Sequence, residues 1–143
     1  MILPDVNVLV YAFNDTSPRH VEYAAWLQGV LDADEPVGVS GVVLSGFLRI
    51  VTHPRIFDEP ATPGDALDFV RAVRDADNAV VVEPGRRHWR IFTSLVESTG
   101  AVGNAVPDAW LAALAVESGC EWVTTDRGFA RYPGLRLRHP LAS

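Results

Sequence analysis

The sequence predicts an α/β domain built as three layers, α/β/α, around a central parallel sheet. Three observations lead there. Short apolar runs such as Ile2-Leu3, Ala79 to Val82 and Trp122-Val123 lack the alternation of half-exposed strands. Longer stretches between them place apolar residues at helical spacing. Strands that alternate with helices need crossover connections, and crossovers make parallel neighbours. The 143 residues suit one domain, 1–143, with no repeat, low-complexity tract or linker inside it.

Met1 to Asp5 reads as a short buried strand ending in an acid, and Val6 to Phe13 as a short helix or turn. Asn14 to Pro18 is a loop. Ser17-Pro18 resembles a helix cap with proline at the first helical position. Val21, Ala24, Ala25, Trp26 and Leu27 then carry an amphipathic helix to about Leu31. Val37 to Val51 is apolar with small residues interspersed, and a helix is expected from near Ser40 to before Pro54. Thr62-Pro63 repeats the capping signal ahead of a stripe at Ala66, Leu67, Phe69, Val70 and Val73. Ala79 to Val82 is expected as a buried strand. Arg87 to Ser98 is helical with Trp89, Phe92, Leu95 and Val96 inward, and Gly100 and Gly103 end it. Val106 to Glu117 forms the last helix, closed by Gly119. Trp122-Val123-Thr124 is a strand, and Leu135-Arg136-Leu137 an edge strand after the Tyr132-Pro133-Gly134 turn.

Composition excludes several classes. Hydrophobic residues make up 48% and charged residues 21%, which is globular rather than disordered or fibrous. One cysteine, Cys120, rules out a disulfide or a thiolate metal cluster within the chain. His20, His53, His88 and His139 lack zinc-ligand spacing. No apolar run is long enough for a membrane span, and Asp5 interrupts the opening too early for a signal peptide, so a cytoplasmic protein is expected. The net charge is −6 and the pI about 5.1, against a general nucleic-acid coat. All 12 basic residues are arginine, whose rigid fork of donors still allows local phosphate sites.

Three acids stand out by position. Asp5 ends the first strand, Asp108 opens an apolar helix, and Asp126 follows the strand at Trp122. Each alone has a structural explanation, as a helix N-terminal charge or a turn former. Ligands of such sheets sit beyond the carboxyl ends of the strands, and three acids gathered there would form an oxygen site for Mg²⁺ or Mn²⁺.

Four segments carry a family resemblance. Asp5-Val6-Asn7-Val8-Leu9-Val10-Tyr11-Ala12 looks like the opening of a PIN domain, and Phe47-Leu48-Arg49-Ile50-Val51-Thr52-His53-Pro54-Arg55 like its middle. Gly103-Asn104-Ala105-Val106-Pro107-Asp108-Ala109 and Thr124-Thr125-Asp126-Arg127-Gly128-Phe129 resemble the later motifs, in order. The chain is most similar to the VapC toxins of bacterial toxin–antitoxin pairs, in the branch common in mycobacteria. That resemblance implies a metal-dependent endoribonuclease acting on tRNA or other structured RNA. It implies a homodimer and a VapB-type antitoxin that covers the acidic pocket. Carried over by position, Asp5, Asp108 and Asp126 are the catalytic and metal-binding acids, with Asn7, Asn104 and Thr124 in support; Asn104 orients a ligand or caps the helix bearing Asp108.

One position departs from the pattern. Where relatives with a fourth acid place a glutamate, this chain has Gly46; water, or less favourably Glu22, would replace that ligand. A PIN module that binds without cutting is the rival this departure motivates. A phosphatase using Asp5 as nucleophile would favour a second acid at position 7 and a lysine, and both are missing. Arg49, Arg55, Arg127 and Arg131 lie near the expected site, whereas Arg71, Arg74, Arg86 and Arg90 read as solvated helix faces. Arg49, inside an apolar helix, is expected to have a buried carboxylate partner. Trp89 and Trp122 read as core, Trp26 and Trp110 as parts of an apolar contact surface; a mean hydropathy of +0.12 agrees with such a surface.

Overall fold

A computed structural model describes residues 1–142. Its elements are β1 (Ile2–Pro4), α1 (Val6–Phe13), α2 (His20–Leu31), β2 (Val37–Val39), α3 (Gly41–Val51), α4 (Pro63–Arg74), β3 (Ala79–Val81), α5 (His88–Thr99), α6 (Ala105–Ser118), β4 (Glu121–Val123) and β5 (Leu137–Arg138). A 3₁₀ turn, Arg127–Arg131, lies between the last two strands. All four strand pairings are parallel, in the order β3-β2-β1-β4-β5. The chain therefore works outward from β1 through β2 to β3, then crosses back to β4. Strand order reverses between β1 and β4, and sheets of this kind bind ligands beyond the carboxyl ends of the strands at such a point.

The helices pack in two groups, α1 with α2 and α3 and α3 with α4, and separately α5 with α6. This is the three-layer α/β/α architecture expected from the sequence. The sheet's centre is dry: Ile2, Leu3, Val37, Trp122 and Val123 have no exposed surface. Gly38 permits that density. A Cβ there would meet Val82 Cγ2 at 3.0 Å, Leu3 Cδ1 at 3.1 Å and the Ile2 carbonyl at 3.2 Å. Val8, Leu9, Phe47 and Leu114 close the core from the helices.

Several expectations are corrected. Ser17-Pro18 does not start a helix; the two residues lie in a turn, and α2 begins at His20 after Arg19, which adopts a left-handed φ of 58°. Val37–Val39 pairs as β2 ahead of the expected helix. The β3 strand is not buried, because it forms the sheet's edge: Val80 is 42% and Val81 52% exposed. Trp89 is 64% exposed, and the ring that α5 buries against α6 is His88, whose Nε2 meets the Trp110 carbonyl at 3.0 Å. Arg49 lies on the exposed face of α3 and has no buried carboxylate partner among the described residues. The last strand is Leu137–Arg138, displaced from Leu135 because the 132–134 turn ends with Gly134 at φ 84°. Trp122 is core as expected, and the Thr62 side chain caps α4 by accepting from Asp65 N–H at 3.2 Å.

Candidate active site

Parallel pairing sets Pro4 opposite Val123, so the next residues, Asp5 and Thr124, emerge side by side at that point. The Asp5 amide continues the ladder by donating to the Val123 carbonyl at 2.8 Å. Its carboxylate is almost fully buried. One oxygen accepts the Val6 N–H at 2.7 Å, which makes Asp5 the N-cap of α1, and the other accepts the Thr124 hydroxyl at 2.7 Å.

Thr124 links the remaining groups. Having donated its proton to Asp5, its oxygen accepts the Asp126 backbone N–H at 3.1 Å and faces the Asn7 amide nitrogen at 3.4 Å. The other end of Asn7, Oδ1, is buried and has no partner. Asp126 is exposed and caps the 3₁₀ turn by accepting Gly128 N–H at 2.8 Å. Asp108, in the first turn of α6, is half-buried. Asn104 precedes α6 but is exposed and makes no capping bond through its side chain.

Electrostatics tie the three acids together. Burial pushes the Asp5 carboxyl up to about 6; its hydrogen bonds from Thr124 and Val6 oppose this, and the charges of Asp108 and Asp126 add to it. Asp108 is also raised, first by burial and then by Asp126, with Arg131 pulling the other way. Among the described residues, however, no three His, Cys, Asp or Glu side chains form a group that could hold a metal ion. The expected three-carboxylate cage is not closed. Like-charge repulsion of this kind, about 4 kcal/mol for a pair ~4 Å apart at an effective dielectric of 20, works against closure without a cation.

One contributor went unread in the sequence, and another was read only as lying near the site. Tyr132, seen there only as part of a turn, donates its hydroxyl to the Ala105 carbonyl at 3.0 Å, tying the segment after β4 to the start of α6. Arg131 donates to the Gly128 carbonyl at 2.8 Å, and its charge favours the ionised form of Asp108. The first contact spans α6 and β4, and the second closes a turn; no local pattern announces either. At Gly46, a Cβ would meet Val6 Cγ2 at 3.2 Å, so a side chain would emerge towards the N-terminus of α1, beside Asp5. Glu22 does not fill that place: it is exposed and bound to Arg19.

The PIN domain family model matches residues 2–135. This chain belongs to the PIN-domain family. Full-length relatives agree: it is 45% identical to a VapC ribonuclease of Mycobacterium bovis over 141 residues, covering 99% of this chain and 96% of the relative. Ribonuclease VapC25 of Mycobacterium tuberculosis is 39% identical, with 99% and 100% covered. Among solved structures, this PIN domain superimposes on one chain of the structure of VapBC2 from Rickettsia felis with TM-score 0.69 at 20% identity, covering 96% of this chain and 98% of that one. It matches VapC20 of Mycobacterium tuberculosis, described as a toxin cleaving the sarcin–ricin loop, with TM-score 0.65 at 16% identity, covering 95% and 99%. Those two likenesses concern the fold.

Proposed function

We propose that this PIN domain is an endoribonuclease, the toxin of a toxin–antitoxin pair, and that Asp5, Asp108 and Asp126 are its catalytic acids. One observation carries the reading: a nearly buried carboxylate, raised to about 6, stands at the strand-order reversal with two further acids acting on it. Acids held against their own ionisation are concentrated at working sites. The relatives named as ribonucleases support the reaction class.

The donor set suits a hard divalent cation. It consists of oxygens alone, and the unpartnered Asn7 Oδ1 adds a neutral one beside the acids. Asp5, Asp108 and Asp126 would hold Mg²⁺ or Mn²⁺, with Asn7, Thr124 and Asn104 in support. The ion, when bound, supplies an activated water and neutralises charge on the phosphate being cleaved. The chain's own residues prepare the place. Thr124 holds one Asp5 oxygen by donating its hydroxyl, and the Val6 N–H holds the other, so the carboxylate cannot turn away. Tyr132 fixes the spacing between the Asp126 turn and α6.

The same reading extends to partners. A VapB-type antitoxin would cover the acids, tRNA or another structured RNA would be the substrate, and the chain would act as a homodimer in the cytoplasm. No helix among the described residues is long and apolar enough to cross a membrane. Trp89, 64% exposed, and Val102, 79% exposed, offer apolar surface for protein contacts.

RNA cleavage measured with Mg²⁺, with Mn²⁺ and with EDTA tests the proposal. Cleavage is expected only with a divalent ion, and Asp5→Asn or Asp108→Asn should lower the rate about a hundred-fold or more while the chain stays folded. Undiminished cleavage in EDTA, or either variant cutting at the wild-type rate, overturns the assignment. RNA binding without cleavage under every condition would favour the non-catalytic reading.

A further inference from the structure

A second feature adjoins the acids. A groove of about 440 Å³ runs from Thr124 and Asp126 to Arg127, Arg138 and His139, and Arg19 borders it from the loop before α2. Its volume lies within the range of small-ligand sites, roughly 300–1,000 Å³. The chain carries a net charge of −6, yet three of its 12 guanidiniums border this groove, against the one carboxylate of Asp126.

The arginines are displayed rather than consumed. Arg127 is exposed and makes no hydrogen bond or ion pair among the described residues. Arg19 is held by Glu22 at 2.7 Å, and Arg138 by Glu121 at 2.6 Å and Glu35 at 3.5 Å, with 53% and 40% of the arginine side chains exposed. Such exposed pairs orient a guanidinium at little energy and yield to a phosphate. Arg19 is also the only non-glycine residue with positive φ among the described residues, at 58°. A side chain held in that sparsely populated region, beside the acids, points to a task other than stability.

We infer that this groove binds the sugar-phosphate chain of the RNA next to the bond being cut, with Arg19, Arg127 and Arg138 as phosphate contacts. The inference rests on the nuclease reading for its choice of ligand. Thr124 and Asp126 belong to both the groove and the acid edge, so a strand whose phosphate sits at the acids passes directly into the groove. An acidic protein segment lacks that continuity.

The test is equilibrium binding of a fluorescent single-stranded oligoribonucleotide to the full chain, by anisotropy in EDTA over a range of salt. Arg127→Ala should weaken binding about five-fold and reduce the steepness of its salt dependence by about 0.7 in log–log slope, the loss of one phosphate contact. Arg19→Gly should weaken binding similarly while melting at the same or a higher temperature, because glycine takes positive φ without strain. Arg74→Ala, on α4 beside β3 at the opposite edge of the sheet, should bind as wild type does. Wild-type affinity in both groove variants overturns the inference, as does an equal loss in Arg74→Ala or no RNA binding by the wild type. A chain that cleaves RNA while its groove variants bind normally refutes the groove alone. One that binds in the expected pattern but never cuts refutes the nuclease reading and leaves the groove standing.

Discussion

Two carboxylates in this molecule accept similar hydrogen bonds and end up on opposite sides of their ordinary acidity. Glu117, late in α6, accepts Gly85 N–H at 2.6 Å and Arg87 N–H at 2.9 Å, clamping the entry to α5. Burial pushes it up, but those two bonds and the charges of His88 and Arg87 outweigh burial and bring it below its usual range. Asp5 accepts one backbone N–H and one hydroxyl, yet burial and two neighbouring acids raise it to about 6. The first carboxylate is placed where the fold wants a negative charge. The second is placed where the fold resists one, and a cation would be welcome.

The contrast has a sign in stability. Asp5 holds its proton more tightly folded than unfolded, so the native chain binds more protons between its ordinary value of 3.8 and about 6. Stability should therefore fall as pH rises through that window, without metal. Asp5→Asn removes the cost, and asparagine still caps α1. In EDTA at pH 7 the variant should gain about 2 kcal/mol in urea unfolding, a gain that fades towards pH 4. Loss of stability at pH 7 would mean that the fold gains from the Asp5 charge, as it does from that of Glu117.

Glu117 should behave in the opposite way. Its contribution is present above its ordinary value of 4.5 and declines as pH falls below it. Glu117→Ala should cost about 1 kcal/mol at pH 7, because the Gly85 and Arg87 N–H groups lose their acceptor but keep access to water. The same urea titration reads it, and no metal dependence is expected. A response to Mg²⁺ would place Glu117 in the site and erase the distinction.

How legible each region was follows from the range of its interactions. Helices announced themselves locally: α4 through Thr62-Pro63, α6 through its apolar run and Gly119, whose φ of 69° ends it. Strands did not. Each has only two or three residues, so β2 merged with the apolar stretch of α3, and β3 gave no sign of lying at the edge. Edge or centre is a property of the sheet, not of a segment. The three acids were legible because each stands at the end of an element. Their contacts were not: Thr124, named through the resemblance, meets Asp5 across 119 positions, and Tyr132 reaches Ala105 across 27. Trp89 misled because aromatic content suggests core, while helix phase and a carbonyl partner put His88 there instead.

If the acid edge serves a cation rather than the fold, as proposed, Asp108 should report it. Melting curves of wild type and Asp108→Asn, each in EDTA and in Mg²⁺, separate the two accounts. Burial and Asp126 raise the Asp108 carboxyl, so removing its charge relieves repulsion. In EDTA the variant should melt at the same temperature as wild type or higher, and Mg²⁺ should stabilise wild type more than the variant, through binding to the folded state. If Asp108 only complements the N-terminus of α6, losing its charge costs roughly 0.3–1 kcal/mol with or without metal. A variant that melts lower than wild type by the same margin in both buffers would contradict the claim.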